Sequence, residues 1–436
     1  MKIYNYPSKS AKKKIASIIN RGLGFKKKDY QSVKRILEDV RKNGDKALIK
    51  YVNCFDSPDL SIDSIKVSRE EINSATKKVD RPFVRSLNRA ISQIKAFHKQ
   101  QLTKSWINTD RHGVFLGQVV NPVDAAGVYV PGGKGGNTPL VSSVLMGAIP
   151  AKIAGVQHIS MTTPSTKDGT INPHLLVAAQ KVGIDSVFKV GSAWAIAALA
   201  YGTETIPKTD VIVGPGNIYV TLAKKIVAGT VGIDMIAGPS EILIVADTNA
   251  NPEFIAADLL SQAEHDTLAS AVLVTNSKQL AKSVAGAVEE QLGDLMRRDI
   301  ALESLAQYGA IMITSDIDTA IKLANQIAPE HLELHVKEPF DYIGKIRNAG
   351  AIFLGDYTPE PVGDYIAGPN HVLPTAGTAR FASALSVDHF IKKTSLIHYS
   401  RDAFMNEAKD IMRLAGIEGL DAHANSVKIR LKRTNN

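Results

Sequence analysis

The stretch ISMTTPSTKDGTINPHLLVAAQKVGIDSVFKV, residues 159–190, carries the pattern that decides the fold. Short β-rich runs at 159–162 and 186–190 flank an apolar segment that begins at Pro173 and ends before Gly183. Proline favours the first position of a helix and glycine the position after its end, so a crossover helix is predicted here. A strand, a helix and a second strand in that order are the unit of a parallel α/β sheet.

The same alternation extends to both sides of this stretch. Further β-rich runs occur at 128–130, 211–213, 242–246, 272–274, 311–314 and 352–354. Two such series, separated by helical segments, predict an α/β fold with two doubly wound, incomplete Rossmann-like domains and a cleft between them. The residues before 114, where apolar positions recur every three or four residues, and those after 388 are predicted to be helical N- and C-terminal extensions.

Length and composition bound the class of protein. A chain of 436 residues is too long for one hydrophobic core, and 44% hydrophobic with 22% charged residues is typical of globular proteins. No apolar run approaches the ~20 residues of a membrane span, so no membrane partner is expected. Cys54 is the only cysteine, which excludes an intrachain disulfide and a thiolate metal cluster. Because the N-terminus also lacks the apolar core of a signal peptide, we expect a cytoplasmic protein.

The net charge of +9 comes from 52 lysines and arginines against 43 acidic residues. Much of the excess lies in basic clusters at 12–14, 26–28 and 428–433. Basic runs are usually solvated surface, and only Phe25 and Tyr30 flank them as positions for base stacking. Nucleic acid is therefore the weaker interpretation, and no nucleic-acid partner is expected.

Three glycine turns are candidates for ligand binding. The sequence lacks the usual G-x-G-x-x-G turn, but a glycine-rich stretch at 130–136 follows the predicted strand at 128–130. Backbone N–H groups in such a loop can approach a phosphate closely. The other two turns lie at 214–217 and 237–241. Ordinary turns would explain any one of the three.

Candidate metal ligands carry imidazole and oxygen donors. Gln262 and His265 are spaced so that both side chains lie on one face at the end of a helix. Asp364 lies in a loop rich in glycine and proline, and His423 lies in the tail. Ligands of this kind without thiolate suit zinc or a harder divalent ion.

Glu330 and His331 are the candidates for proton transfer. Pro329 stops the preceding helix, so the pair is predicted in a short loop before a strand. A carboxylate beside an imidazole gives two bases with different ordinary pKa values, one suited to activating water and one to deprotonating an alcohol. A solvated surface pair is the alternative.

Eight motifs, in this order, closely resemble histidinol dehydrogenase, and the likeness covers nearly the whole chain. They are GVYVPGG (127–133), AIAALA (195–200), GPGN (214–217), AGPSE (237–241), LLSQAEH (259–265), PEHL (329–332), NHVLPT (370–375) and GLDAH (419–423).

The resemblance implies one zinc ion per subunit, held by Gln262, His265, Asp364 and His423. It implies an intertwined homodimer with shared active sites, in which His423 comes from the other subunit. It further implies that the substrate L-histidinol contacts Ser240, Gln262, His265, His331, Asp364, Glu418 and His423, with His371 beside them.

The resemblance also implies a reaction. His331 would take the hydroxyl proton as hydride leaves, and Glu330 would activate water that attacks the aldehyde. The overall change is the last step of histidine biosynthesis, a four-electron oxidation of L-histidinol through L-histidinal to L-histidine with two NAD.

One alternative is an NAD-dependent dehydrogenase on the same scaffold that acts on another alcohol, such as a sulfonated diol. The other is a zinc hydrolase in which Glu330 activates water without a nucleotide.

For NAD, the resemblance implies contacts from Tyr129, Asn217 and the residue at position 194. Family members commonly have glutamine where this chain has Trp194, and an indole offers only one N–H donor. A smaller variation is Lys134-Gly135-Gly136-Asn137, in the loop expected near the cofactor.

Together these inferences divide the chain into four segments. A helical extension is expected at 1–28, and the first α/β domain, with the zinc and catalytic residues, is expected at 29–124 and 239–385. The second α/β domain, on the NAD side, is expected at 125–238. A helical tail at 386–436 would reach the partner subunit.

Overall fold

A computed structural model describes residues 1–21, 24–133 and 138–432. The variation at 134–137 lies outside the described residues. By its internal contacts the chain divides into two compact units, one of Met1–Gln101 with Val123–Phe390 and one of Leu102–Pro122 with Ile391–Asn436. The division into four segments stays a prediction.

The described residues form strands in both units. They are β1 (Ile3–Asn5), β2 (Trp106–Asn108), β3 (Val114–Pro122), β4 (Ala125–Tyr129), β5 (His158–Thr163), β6 (Ser186–Lys189), β7 (Val211–Val213), β8 (Gly232–Ile233), β9 (Glu241–Ala246), β10 (Ser270–Thr275), β11 (Ala310–Ile313), β12 (His331–His335), β13 (Ala351–Leu354) and β14 (Ile391–Tyr399).

The helices alternate with these strands over most of the first unit. They are α1 (Lys9–Ile19), α2 (Lys27–Phe55), α3 (Arg69–Lys78), α4 (Arg81–Lys99), α5 (Val141–Ala154), α6 (Pro173–Val182), α7 (Ser192–Tyr201), α8 (Ile218–Val227), α9 (Pro252–Ala263), α10 (Lys278–Leu292), α11 (Arg298–Tyr308), α12 (Ile317–Ile327), α13 (Glu360–Val362), α14 (Arg401–Ile417) and α15 (Asp421–Lys432).

The first unit contains two parallel sheets. In the described residues, one has six strands in the order β1-β11-β10-β9-β12-β13, and the other has five in the order β6-β5-β4-β7-β8. The helix predicted from 173 to 182 has those bounds: the Asn172 side chain accepts the backbone N–H of His174 at 3.0 Å, and Gly183 adopts φ +80° after the last turn. The prediction of an α/β fold with parallel sheets is confirmed.

Both faces of each sheet are covered by helices. On β9, Ile242 and Ile244 pack into one hydrophobic cluster with α9 and α10, while Leu243 and Val245 pack into another with α1 and α12. Successive side chains of a strand point to opposite faces, so a strand buried on both sides is apolar throughout. The doubly wound arrangement is confirmed by this packing.

Two strands lie in the segments predicted as helical N- and C-terminal extensions. β1 lies in the N-terminal segment predicted as helical, and it pairs with β11 at the edge of the six-stranded sheet. β14 lies in the predicted helical tail and pairs in antiparallel fashion with β3 in the second unit. Its sequence, IKKTSLIHY, is rich in β-branched and aromatic residues, which favour strands, and pairing supplies its backbone hydrogen bonds.

Among the described helices, none is long and apolar enough to cross a membrane.

Candidate active site

Glu330 and His331 lie at the start of β12, between β9 and β13. The loop predicted for His331 was wrong, because its backbone pairs with both neighbouring strands. The two residues are 7% and 3% exposed, which excludes the solvated surface pair. The backbone of Gly350 lies close to the backbone of Glu330. Only glycine fits at this position, because a Cβ there would lie 2.5 Å from the Glu330 carbonyl oxygen.

Glu241, the first residue of β9, fixes the position of Glu330. The backbone N–H of Glu241 donates to Glu330 Oε2 at 2.9 Å, and the backbone N–H of Glu330 donates to Glu241 Oε2 at 3.2 Å. Arg21 holds the other oxygen of Glu241, with 2.7 Å between Nη2 and Oε1, in an almost fully buried ion pair. Sequence reasoning quoted the turn that ends at Glu241 but missed this role, and it had no signal for Arg21.

The hydrogen bonds of His331 determine which ring nitrogen is free. Its Nδ1 lies 2.9 Å from the backbone carbonyl oxygen of Glu241. A carbonyl oxygen only accepts, so Nδ1 carries the proton and Nε2 is left with its lone pair. Burial lowers the pKa of His331, which keeps the imidazole neutral near pH 7. The side chain is therefore prepared to act as a base through Nε2.

Burial also dominates the electrostatic environment of Glu330. Burial, and then the neighbouring Glu241 carboxylate, raise the pKa of Glu330 well above its ordinary value. A carboxyl with a raised pKa is a stronger base once ionised than an exposed glutamate. Burial thus favours the neutral form of both adjacent side chains.

Glu360 and Asp364 complete the acidic side of the site. Ligand atoms of His331, Glu360 and Asp364 all lie within 4.8 Å of one another, and His331 Nε2 is 3.8 Å from Glu360 Oε1. Asp364 lies in a π-helical turn, Gly363–Ala367, directly after α13. Glu360, the first residue of α13, was missed by sequence reasoning, although it lies only four residues before Asp364.

Gln262 is the side chain that most clearly lacks a partner. It is 0% exposed on α9, and neither its amide oxygen nor its amide nitrogen has a hydrogen-bond partner among the described residues. Buried amides are nearly always hydrogen-bonded, so this orphaned group fits a missing ligand. His265 follows in the turn after α9. Burial, and then the Asp364 carboxylate, raise the pKa of Glu360 to about 7, and the nearby His265 opposes that shift. An amide oxygen, an imidazole and carboxylates form a donor set suited to zinc.

A cavity of about 220 Å³ adjoins Asp364. His371 lines it together with Phe353 and Asn370. The Nε2 atom of His371 is buried without a partner among the described residues, and burial lowers the pKa of this imidazole. A neutral imidazole with a free ring nitrogen is available to a ligand in this cavity.

A second cavity, of about 430 Å³, lies at the carboxyl ends of the strands of the five-stranded sheet. This is where ligands bind in open parallel sheets. Tyr129 ends β4 and lines the cavity with Trp194 and Asn217, the three residues assigned to NAD by resemblance. The Asn217 side chain also caps α8 by accepting the backbone N–H groups of Tyr219 and Val220.

The indole N–H of Trp194 already donates a hydrogen bond to another residue of the protein. Nε1 donates to Asp56 Oδ2 at 3.0 Å, and the ring stacks on Tyr51 and Phe55 with centroids 5.9 and 5.3 Å away. Burial raises the pKa of Asp56 to about 6, while the Trp194 hydrogen bond opposes that shift. Trp194 therefore offers the cavity an aromatic surface and no donor.

Comparison with known proteins identifies the family. Residues 21–431 match the family described as histidinol dehydrogenase. The chain belongs to the histidinol dehydrogenase family. It is 56% identical over 401 residues to histidinol dehydrogenase of Desulfotalea psychrophila, with 92% of both chains covered. It is 53% identical over 401 residues to that of Carboxydothermus hydrogenoformans, covering 92% of this chain and 93% of the relative.

A solved structure supports the same assignment. The crystal structure of histidinol dehydrogenase from Elizabethkingia anophelis matches with a TM-score of 0.93 and 39% identity. The match covers 100% of this chain and 99% of that one. The whole fold, including both units, is therefore that of the histidinol dehydrogenase family.

Three further residues expected at the site are Ser240, Glu418 and His423. Ser240 precedes β9 and is half-buried, and its carbonyl accepts the backbone N–H of Ser270 at 3.0 Å. Glu418 and His423 belong to the second unit, and both are exposed there. Their roles in this member of the histidinol dehydrogenase family stay predictions.

A buried ion pair holds the glycine turn at 214–217, whose last residue, Asn217, lines the second cavity. Asp234 Oδ2 accepts the backbone N–H of Gly214 at 2.8 Å, and Lys224 Nζ donates to the Gly214 carbonyl at 2.9 Å. Lys224 and Asp234 pair with each other at 3% and 0% side-chain exposure. Gly214 itself adopts φ +119°, and a Cβ there would lie 2.1 Å from the Tyr129 carbonyl oxygen.

Replacing Lys224 with methionine is expected to lower the free energy of unfolding by about 3–5 kcal/mol, because it leaves the Asp234 carboxylate buried without a counter-charge. Urea unfolding measures the change. Lys225→Met, at the exposed neighbouring position, is the matched control and is expected to change stability by about 0.5 kcal/mol or less. Equal stability losses in the two variants would contradict the importance of the buried pair.

Proposed function

We propose that this chain oxidises L-histidinol through L-histidinal to L-histidine, reducing two NAD, with one zinc ion per subunit. The family's activity is that of an NAD-dependent oxidoreductase. The observation that carries the proposal is the buried pair at the start of β12. His331 presents an unprotonated Nε2 on the side of Glu360, and the carboxyl of Glu330, whose pKa is raised, lies on its Nδ1 side. The buried amide of Gln262, on α9, has no partner among the described residues.

We place the zinc ion among Gln262, His265, Asp364 and the partner subunit's His423. When bound, this ion supplies positive charge that orients the amino and imidazole nitrogens of the substrate. The orphaned Gln262 side chain supports the assignment, because an amide buried without a partner is otherwise costly. Ser240, His371 and Glu418 complete the contacts proposed for the substrate, together with the zinc ligands and His331.

His331 acts as the base of the first oxidation. Its Nε2 takes the hydroxyl proton of the substrate while hydride leaves the adjacent carbon for the cofactor. The bond from Nδ1 to the Glu241 carbonyl holds the ring in the required tautomer and stabilises the imidazolium that forms.

Glu330 acts in the second oxidation. Its ionised carboxyl takes a proton from water as that water attacks the aldehyde carbon. The imidazolium of His331, formed in the first oxidation, gives its proton to the aldehyde oxygen, which completes the hydrate and leaves His331 neutral. His331 then accepts the hydroxyl proton of the resulting hydrate as the second hydride leaves. Tyr129 and Asn217 contact NAD in the larger cavity, and Trp194 contributes ring surface there.

We propose a homodimer with shared active sites, acting in the cytoplasm without nucleic-acid or membrane partners. Large apolar side chains of the second unit support a protein interface. Ile107, Ile397, Leu414 and Ile417 are 62%, 69%, 63% and 78% exposed. Apolar surface of this kind marks contact sites, and a homodimer is the commonest closed assembly.

The shared site predicts complementation between two inactive variants. His265→Ala and His423→Ala chains with different affinity tags can be expressed together, and the mixed dimer can be isolated by two successive affinity steps. One of its two sites then has every native ligand, so about half of wild-type activity is expected from this symmetric dimer. A mixed dimer as inactive as each parent would contradict donation of His423 across the interface.

The yield of NADH tests the proposed reaction. With limiting L-histidinol and excess NAD, we expect two NADH per substrate consumed and L-histidine as the product. Pretreatment with a chelator should abolish this yield, and added zinc should restore it. One NADH per substrate, or a yield that ignores metal removal, would overturn the proposal.

A further inference from the structure

The side chain of Arg21 is buried where three segments of the first unit meet. It follows α1 and is 2% exposed. Its Nη1 donates to the Ile18 carbonyl at 3.1 Å, and its Nη2 donates to the Pro239 carbonyl at 3.2 Å. The same Nη2 lies 2.7 Å from Glu241 Oε1, and the guanidinium lies 5.9 Å from the centre of the Tyr308 ring. These contacts fix a positive charge beside the first residue of β9.

Glu241 contacts both proposed bases through its backbone. Its N–H donates to Glu330 Oε2 at 2.9 Å, and its carbonyl accepts the Nδ1 proton of His331 at 2.9 Å. Its carboxylate accepts two backbone N–H groups, that of Glu330 at 3.2 Å and that of Ala376 at 3.1 Å. Because β9 is paired with β10 and β12 on its two sides, the backbone of Glu241 stays in place whichever residue occupies position 21.

The surroundings of Glu330 are otherwise acidic. Three carboxyl groups act on it electrostatically, those of Glu241, Glu360 and Asp364. The adjacent His331 does not balance them, because burial lowers its pKa and keeps the imidazole neutral near pH 7. Among the described residues of the first unit, no lysine or arginine other than Arg21 forms an ion pair with these carboxyl groups.

The hydrogen bonds decide which of two adjacent carboxyl groups is ionised. Two buried carboxylates side by side do not readily ionise together without a cation. The Glu241 carboxylate accepts two backbone N–H groups, whereas the Glu330 carboxyl accepts only that of Glu241 among the described residues. Without the charge of Arg21, the single negative charge of the pair would lie on Glu241, and Glu330 would keep its proton. A protonated carboxyl cannot take a proton from water.

We propose that Arg21 is a positioning residue of the second oxidation. By pairing with Glu241, it allows the neighbouring carboxyl of Glu330 to ionise and to act as the base for water. It acts through Glu241 rather than on the substrate. This role rests on the proposed function, in which Glu330 activates water. The first oxidation uses His331, which the backbone of Glu241 orients, so it does not need the charge of Arg21.

Step-resolved kinetics of Arg21→Met test the proposal. With L-histidinal as the substrate, the rate is expected to fall by about 10–100-fold, while the first hydride transfer from L-histidinol continues. Arg21→Lys keeps the positive charge and is expected to recover most of the loss. Arg298→Met, at an exposed position of α11, is the matched control and should leave both rates unchanged. Equal slowing of both oxidations by Arg21→Met would overturn the proposal.

The pH profile separates the loss of charge from a loss of structure. In Arg21→Met, the rise of aldehyde oxidation with pH should begin at a higher pH than in the wild type, because Glu330 holds its proton more tightly beside an unbalanced Glu241. A distorted site would instead lose the same fraction of its rate at every pH. Arg21→Gln, which keeps an N–H donor for the Pro239 carbonyl, gives the same readout if the methionine variant does not fold. An unshifted profile in a folded neutral variant would overturn the proposal.

A second substitution shows whether Arg21 acts through Glu330. In the Glu330→Gln background there is no carboxyl to ionise, so adding Arg21→Met should slow aldehyde oxidation little further. The same additional loss as in the wild type would overturn the proposal. A step-selective Glu330→Gln beside an unselective Arg21→Met would overturn the role of Arg21 alone. A wild-type protein that does not oxidise L-histidinal would overturn the proposed function, and the role of Arg21 with it.

Discussion

Replacing Glu330 with glutamine is expected to slow aldehyde oxidation by about 10²–10⁴-fold while alcohol oxidation continues, because only the second step needs a general base for water. Glutamine keeps the size of the side chain and can still accept the backbone N–H of Glu241 through its amide oxygen. The fold of the site is thus preserved while the proton acceptor is lost. The aldehyde should accumulate, and the NADH yield should fall toward one per L-histidinol.

Stopped-flow kinetics with L-histidinol and with L-histidinal measure the two steps separately. Glu333→Gln, two residues further along the same strand, is the matched control for removal of a buried carboxylate. It should not stop the reaction at the aldehyde. Equal slowing of both steps by Glu330→Gln would remove Glu330 as the water activator.

The pH dependence of the second step follows from the raised pKa of Glu330. The carboxyl must be ionised to accept a proton, so aldehyde oxidation should rise as the pH increases through this pKa. Because the pKa is raised, the loss of activity on acidification should begin at a higher pH than an ordinary glutamate would produce. Burial lowers the pKa of His331, so its protonation should reduce activity only at a lower pH than an ordinary histidine would produce.

Replacing His265 with alanine is expected to remove one metal ion per subunit and to slow both oxidations by about 10³-fold or more, since a metal contributes several kcal/mol to such a reaction. The loss should include both steps, because the ion orients the substrate throughout. Elemental mass spectrometry and NADH production measure the two effects on the same preparation.

His158→Ala is the matched control for this substitution. His158 is an exposed histidine at the start of β5, in the same unit but on the other sheet. It should keep its metal and its activity. Undiminished metal content in His265→Ala would overturn the ligand assignment, whatever happens to the rate.

Local sequence patterns predicted the elements that their own residues specify. The strand at 211–213 and the helix at 173–182 have the predicted bounds, because apolar runs and capping residues act over a few positions. The pairing of β1 and β14 could not be predicted in this way. Short or partly polar strands become ordered only when a neighbouring strand, distant in sequence, supplies hydrogen-bond partners.

The residues of the candidate site also fall into two groups, those that the sequence predicted and those that only the structure revealed. Gln262, Asp364, Glu330 and His331 were identified from motifs and family resemblance. Glu241, Glu360 and Arg21 were not, because their roles arise only through contacts between distant segments. Arg21 lies 220 residues from the Glu241 carboxylate that it pairs with.

By itself, the sequence determined the class of fold and the residue types available for chemistry, since periodicity, turns and motifs are properties of neighbouring residues. Only the tertiary structure decided their chemical states. The tautomer of His331 depends on the Glu241 carbonyl, and the pKa of Glu330 depends on burial beside a second carboxylate. Hydrogen-bond partners and desolvation are set by the atoms that surround a group in space, and no stretch of chain contains that information alone.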